Sequence, residues 1–420
     1  MREDRRRVPG RPRLLRTLND RLALELLVEA GPLTRQQVSD RTGLSRPTAS
    51  LMLTRLEAGG LVVRTGTAGG GRGPLAAVYG VPPRSILSAA LDVRPGGARA
   101  AVLDVGGEVL GRATVPVDPC ADAGHTVSGV LEAACAPAGV CPRDLAHVVV
   151  GVGAAYDHEA DVLADVEHLP GWRSPGVGRS VGGRLGVAVH LENDVNLAHV
   201  GERASRTGGP DGPLPDGAAL LWFGDGVGLA VDLGGRLHRG ASGRAGEIGY
   251  VLAPPPEGDG RRDVQSLLGG PALVAHAAAF GLTRAGDRPP GAAGDPAAWA
   301  DCGDVVAQAV SLARSDERGR GARPFLADVA ARLAAVLEPV LAVLDPSVVV
   351  LAGPGGTAGG GLLAGLVESD VRARARWSGP VLPTLAGPDA VLLGGRARAT
   401  QITRERLLAR VGTTVEPVAT

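Results

Sequence analysis

One pattern occurs twice in this chain and constrains its fold more than any other feature. An apolar run, a glycine-rich turn and a second apolar run ending in Gly-Gly-polar occupy Leu91–Leu110, and the same order recurs at Leu220–Leu237. Each copy reads as a β-hairpin, since both runs have strand length and glycine supplies the turn. A repeat of this kind implies two α/β lobes of common ancestry, with a cleft between them where ligands bind. The length of 420 residues agrees, being too long for one ordinary domain and suited to two or three.

Ahead of the first copy the pattern is different. Leu14, Leu15, Leu18, Leu22, Leu26 and Leu27 recur at helical spacing, which predicts an amphipathic helix ending near Gly31-Pro32. Thr34 then caps a short helix, RQQVSDRT, with Val38 facing inward, and Gly43 makes the turn. Ser45 caps the next helix, with Pro47 in its first turn where a missing N–H costs nothing. That helix buries Ala49, Leu53 and Leu56 and stops at Gly59-Gly60. Two short helices joined by such a turn make a helix-turn-helix. LVVRT, TAGGGRG and PLAAVYGV follow as a β-hairpin with Arg72 at its tip, the arrangement of a wing.

The candidate DNA contacts are Thr34, Arg35, Gln36, Ser45, Arg46, Thr48, Ser50, Arg55 and Arg72. Short hydrogen-bonders and cations at the start of a recognition helix suit base edges in the major groove, and a wing arginine suits phosphate or a minor groove. Charge supports this placement. The net charge is zero, yet residues 1–75 hold 14 Arg against 7 Asp and Glu, so the front end is basic and the remainder acidic. A polyanion partner is expected for that end only.

Other features exclude chemistry. All basic residues are Arg, so there is no P-loop or Schiff-base lysine. Cys120, Cys135, Cys141 and Cys302 form no C-x-x-C pair and read as reduced thiols. The N-terminus has no apolar run of a secretory signal, and no run approaches the ~20 apolar residues of a membrane helix, so a cytoplasmic protein without a membrane partner is expected.

From residue 85 onward the sequence resembles the ROK family of repressors, open reading frames and sugar kinases, in particular its repressor branch. ALDVRPGGARAAVLDVGGEVLGR is similar to the family's opening hairpin, and VAVHLENDVNLAHVGE to the segment with its Glu-Asn-Asp core. LLWFGDGVGLAVDLGGRLHRGASGRAGEIGY resembles the second phosphate loop and the sugar-contacting Glu-x-Gly-His. DPSVVVLAGPGG resembles the adenosine-side strand, and LAGPDAVLLGGRARA the closing helix. The resemblance implies a two-lobed, actin-like (ribonuclease H-like) sugar-kinase fold behind the winged helix, an α/β protein throughout. It implies that Asn193 and Asp194 meet sugar hydroxyls, with Asp194 at the catalytic-base position, and that Glu247, Tyr250 and Gln265 complete an effector site. The expected organisation is a basic arm over 1–11, a winged helix-turn-helix over 12–82, lobes over 85–200 and 201–402, and a tail over 403–420.

Departures from the family pattern decide the expected mechanism. The family's Gly-Gly-Thr in the first phosphate loop is here Arg94-Pro95-Gly96; Pro95 removes a backbone donor and Arg94 fills space a phosphate would need. Asp225 stands where a Thr meets phosphate, and a carboxylate about 4 Å from a phosphate charge costs about 4 kcal/mol at an effective dielectric of 20. Tyr250 replaces the family's zinc-binding His, and the cysteine segment after it is missing, with Gln265 in place of a sugar-binding Glu. No metal, no cofactor and no kinase activity are therefore expected. The expected function is a repressor of sugar-related genes that binds a double-stranded DNA operator as a homodimer or higher homo-oligomer, with a sugar or sugar derivative as effector. An active sugar kinase fused to a DNA-binding domain, and a ligand-independent regulator whose large domain only dimerises, remain the alternatives.

Overall fold

The computed structural model describes residues 12–69, 75–94, 96–166, 168–207, 212–224, 226–253, 262–282, 296–315 and 321–412. Arg72, Pro95 and Asp225 lie outside them.

The N-terminal unit contains α1 (Pro12–Ala30), β1 (Leu33–Thr34), α2 (Arg35–Thr42), α3 (Arg46–Ala58), β2 (Val63–Ala68) and β3 (Ala76–Gly80), with an antiparallel sheet ordered β1-β3-β2. Local chemistry fixes its helices. Thr34 and Gln37 form a reciprocal capping box at the start of α2. Gly43 takes φ 70° at its end, a left-handed turn that glycine adopts without cost. The Ser39 hydroxyl donates to the Leu44 carbonyl at 2.6 Å, which sets the angle between α2 and α3. The core holds Leu24, Leu27, Val38, Met52, Leu53, Leu56 and Tyr79. The leucine pattern of α1 needs one correction. Leu14, Leu15, Leu18 and Leu22 are exposed, and the face that packs is Ala23, Leu24 and Leu27. Helical periodicity alone does not say which turns of a leucine-rich helix meet a core.

The first lobe runs β4 (Leu87–Arg94), β5 (Gly97–Leu103), β6 (Val109–Val115), α4 (Ala123–Ala138), β7 (Leu145–Val152), β8 (Ala155–Asp157), β9 (Val162–Ala164), α5 (Val177–Leu185), β10 (Ala188–Asn193) and α6 (Asp194–Arg206). Its sheet has the order β6-β5-β4-β7-β10. The second lobe starts with β11 (Ala218–Phe223), β12 (Val227–Leu233) and β13 (Arg236–His238), then a two-stranded ribbon of β14 (Leu252–Ala253) and β15 (Arg262–Asp263). It continues through α7 (Val264–Leu268), α8 (Gly270–Ala279), α9 (Pro296–Arg314), α10 (Ala322–Leu344), β16 (Val348–Ala352), α11 (Gly353–Arg374), β17 (Val381–Pro383) and α12 (Ala390–Ala409). Its sheet has the order β13-β12-β11-β16-β17. In each sheet the first three strands are antiparallel and the last two run parallel to the first. The repeated hairpin in the sequence is therefore the visible part of a repeated sheet. β7 and β16 are near-continuous valine and leucine, as parallel strands covered on both faces require.

α12 runs past residue 402, where the lobe was expected to end. Its Leu407 is fully buried in the core of the N-terminal unit, beside Ile86 and Val105. Earlier in α12 its backbone lies against α6: a Cβ on Gly394 would stand 1.7 Å from the Leu197 carbonyl oxygen, and one on Gly201 2.2 Å from that of Ala390. α6 and α12 thus form one tightly seated pair that reaches from the cleft to the core of the helix-turn-helix. Among the described residues no helix is long and apolar enough to cross a membrane.

Candidate functional site

Between the lobes lies a cavity of about 290 Å³. Asn193, Asp194, Glu247, Tyr250 and Gln265 all line it, together with Arg94, Asp165, His168 and Trp222. Strand β10 ends at Asn193 and α6 begins at Asp194, so the Glu-Asn-Asp run sits where a strand turns into a helix. The Asn193 side chain works in two directions. Its Oδ1 accepts from the Asn196 N–H and caps α6, while its Nδ2 donates to the Ala154 carbonyl at 3.3 Å and to Glu247 Oε1 at 3.5 Å. Asp194 Oδ1 accepts from the Val195 N–H at 2.8 Å, and its Oδ2 faces Gly153, where an added Cβ would come within 3.3 Å. Burial, with Asp165 nearby, raises the Glu247 carboxyl above its ordinary value, and Arg244 offsets part of this.

The remaining two residues serve differently. Gln265 is committed to the second hairpin, its Oε1 accepting from the Val227 N–H at 3.0 Å. Tyr250 lines the cavity in a short 3-10 turn and is itself exposed. Ion pairs link the two lobes across the cleft. Arg239, after β13, donates to Glu192 Oε2 at 2.6 and 2.8 Å, and Arg244 pairs with Asp165 at 2.8 Å. Sequence reasoning named Glu192 only as part of the Glu-Asn-Asp core and missed Asp165 and the arginines that pair with both, because only folding brings these distant segments together.

Beside the cavity, Asp92 is wholly buried near the end of β4, two residues before the cavity-lining Arg94. Arg94 Nε donates to both of its oxygens at 3.1 Å, and Arg99 donates at 2.6 Å. Arg99 also bonds Asp389 at the start of α12. The Arg94 guanidinium lies 5.6 Å from the ring centre of Trp222 on β11, so it bridges the two lobes.

The predicted DNA contacts fall into two groups. Thr34 is buried in its capping box, Arg35 lies over the Tyr79 ring at 5.2 Å, and Gln36 bonds Asp40 at 2.6 Å. Arg55 is clamped by both Asp20 oxygens, which fastens α3 to α1. Ser45 caps α3 and shares a 2.8 Å hydroxyl contact with Thr48. Thr48 and Ser50 are half-buried, while Arg46 is exposed at the first turn of α3. Charge and helix position identified these residues, but neither reveals which cations a neighbouring carboxylate already holds.

A family model described as the ROK family matches residues 89–378, and one described as the MarR family matches residues 17–73. The chain belongs to the ROK family. It is 34% identical over 186 residues to the "Bifunctional enzyme NanE/NanK" of Brucella melitensis, covering 44% of this chain and 30% of that one. It is 22% identical over 250 residues to the "Xylose repressor" of Bacillus subtilis, covering 56% and 61% respectively. The chain thus matches less than two thirds of the length of these relatives. Among solved structures, a ROK family transcriptional regulator, a homolog of the E. coli MLC protein, superposes with a TM-score of 0.65 at 15% identity, covering 94% of this chain and 99% of that one. That likeness establishes the fold from the winged helix through both lobes.

As a ROK protein the chain would be expected to carry zinc beside this cavity, and its residues do not fit one. Tyr250 offers a phenol where the family has an imidazole, and the segment from Tyr250 to Pro271 contains no cysteine. Among the described residues no three His, Cys, Asp or Glu side chains are placed to hold a metal ion.

Proposed function

We propose that this protein is a transcriptional repressor of sugar-related genes. Its winged helix binds an operator as a two-fold dimer, and its kinase-like cleft binds a polyhydroxylated effector without transferring phosphate. The observation that carries the reading is the state of the phosphate end. Asp92 and the hairpin beside it, which resemble the kinases' first phosphate loop, are locked by Arg94 and Arg99, and Arg94 lies across Trp222 in the same cavity. The hydroxyl end keeps an amide and two carboxylates on the cavity wall. Carboxylates and amides suit sugar hydroxyls, which both donate and accept. The xylose repressor among the relatives supports the choice of a sugar-related target.

Coupling follows from the same placement. Asp194 belongs to the first lobe and Glu247 to the second, so a ligand that bonds both favours one lobe arrangement. α6 begins at Asp194 and lies against α12, whose Leu407 is in the core of the helix-turn-helix. A shift in the cleft therefore reaches the DNA-binding unit along packed helices rather than through a flexible linker.

The test begins with operator selection from random duplex DNA. The selected duplex is then titrated with and without each member of a panel of neutral sugars, sugar phosphates and ATP. One sugar should change operator affinity, and Arg46→Ala should weaken ligand-free binding by about 1–3 kcal/mol. Sugar-dependent release of ADP, lost in Asp194→Asn, would establish the kinase alternative. Failure of every sugar to move the curve would leave a ligand-independent regulator.

A further inference from the structure

α3 buries Ala49, Met52, Leu53 and Leu56, each 3% exposed or less. With about 100° between successive residues, the line opposite that face runs through Pro47, Leu51, Thr54 and Ala58. All four are exposed, and Leu51 is 61% exposed. The crest of the helix is therefore a leucine, while Ser50 and Thr48 lie lower on its flanks, half-buried. The helix-turn-helix around Leu51 is rich in cations. Arg46 is exposed at the first turn of α3, Arg41 at the end of α2, and Arg55, one turn after Leu51, is exposed though paired with Asp20. The first 75 residues hold twice as many arginines as carboxylates. An apolar tip within a basic surface does not suit an apolar protein partner. It suits an apolar spot inside a polyanion, and the major groove of DNA has one: the C5-methyl group of thymine.

We infer that Leu51 reads a thymine methyl in the major groove and fixes one A·T pair in each binding site. The inference rests on the reading of α3 as the DNA-contacting helix and adds the base it selects. Sequence reasoning gave Leu51 no role, because it sought polar and cationic side chains on the exposed face of this helix. The exposed ridge, unlike the core face, has no packing role that would keep a leucine there.

The experiment uses the full chain and the operator obtained by selection. Each thymine is replaced in turn by deoxyuridine, which removes only the methyl, and affinity is measured by fluorescence anisotropy for wild type, Leu51→Ala and Arg46→Ala. At one thymine per site the replacement should weaken wild-type binding about fourfold, the worth of one buried methyl-sized group. Leu51→Ala should lose at least as much on the thymine operator and be indifferent to deoxyuridine at that position. Because Leu51 lies outside the core, this variant should melt with wild type, which is checked alongside. The inference is overturned by a selected site with no invariant A·T pair, or by equal deoxyuridine penalties in wild type and Leu51→Ala. If Arg46→Ala still weakens binding in that case, α3 remains the reading helix and only the role of Leu51 falls. If neither variant changes affinity, the assignment of α3 to DNA falls with it.

Discussion

The two ends of the cleft handle charge in opposite ways. At the phosphate end, Asp92 is fully buried and answered from within the protein by Arg94 and Arg99. At the hydroxyl end, Asp194 and Glu247 come from different lobes and line the open cavity, and burial makes ionisation of Glu247 harder. A self-neutralised cluster holds structure. Acceptors that face a cavity from two lobes are placed where a ligand with hydroxyl donors could bond both. Under the proposed function, the contrast separates a half of the site that would bind the effector from a half that serves as a brace.

The largest expected effect tests the brace. Asp92→Ala removes the buried carboxylate shared by Arg94 and Arg99, leaving Arg99 with Asp389, so it should lower unfolding free energy by about 3 kcal/mol in urea titrations. Asp194→Ala removes a cavity-lining carboxylate and should cost no more than about 1 kcal/mol. Equal losses at the two positions would erase the distinction between the ends.

The second test reverses the roles. Glu247→Ala should abolish the effector-induced change in operator affinity, roughly 5–150-fold for a coupling of ordinary size, and leave ligand-free DNA binding intact. Operator titrations with and without the sugar measure it. A mutant that still responds would move the effector away from Glu247.

A third, smaller effect sharpens the phosphate end. Arg94→Met keeps a side chain over Trp222 and leaves Arg99 on Asp92, so it should cost only about 1 kcal/mol. ATP should raise the melting temperature of neither wild type nor this variant. Stabilisation of the variant alone would show that Arg94 is the barrier to nucleotide.

The contrast also marks what could be read in the sequence. The hairpin repeat, the capping pair Thr34–Gln37 and the turn at Gly43 are local, and each has a physical signature within a few residues. The hairpins give the antiparallel neighbours in each sheet, while the places of the parallel strands β7, β10, β16 and β17 come only from the structure. The resemblance brought Asn193, Asp194 and Glu247 to one site, and they line one cavity. The clamps were not legible. Arg55 meets Asp20 across 35 residues, and Arg99 meets Asp389 across 290. No periodicity encodes such pairs, so a cation counted toward DNA can be spent on a carboxylate that only tertiary folding brings near. The exposure of the Leu14–Leu22 stripe was hidden for the same reason: apolar residues at helical spacing state that a face exists, not whether another element covers it.

The smallest expected effect concerns protons at the hydroxyl end. Burial, with Asp165 as the lesser cause, raises the Glu247 carboxyl, so the folded chain holds a proton there at pH values where the unfolded chain has released it. The folded state then binds more protons, and stability falls as pH climbs from the ordinary glutamic range through the raised value, levelling off above it. Glu247→Gln cannot release that proton. Its stability curve should be flatter than wild type across this window, with the two closest at the acid side and the variant ahead at neutral pH. Urea titrations at half-unit steps from pH 4 to pH 8 would measure the difference. Parallel curves would mean that Glu247 is solvated well enough to ionise normally, and the hydroxyl end would then lack the desolvated acceptor that sets it apart from the brace at Asp92.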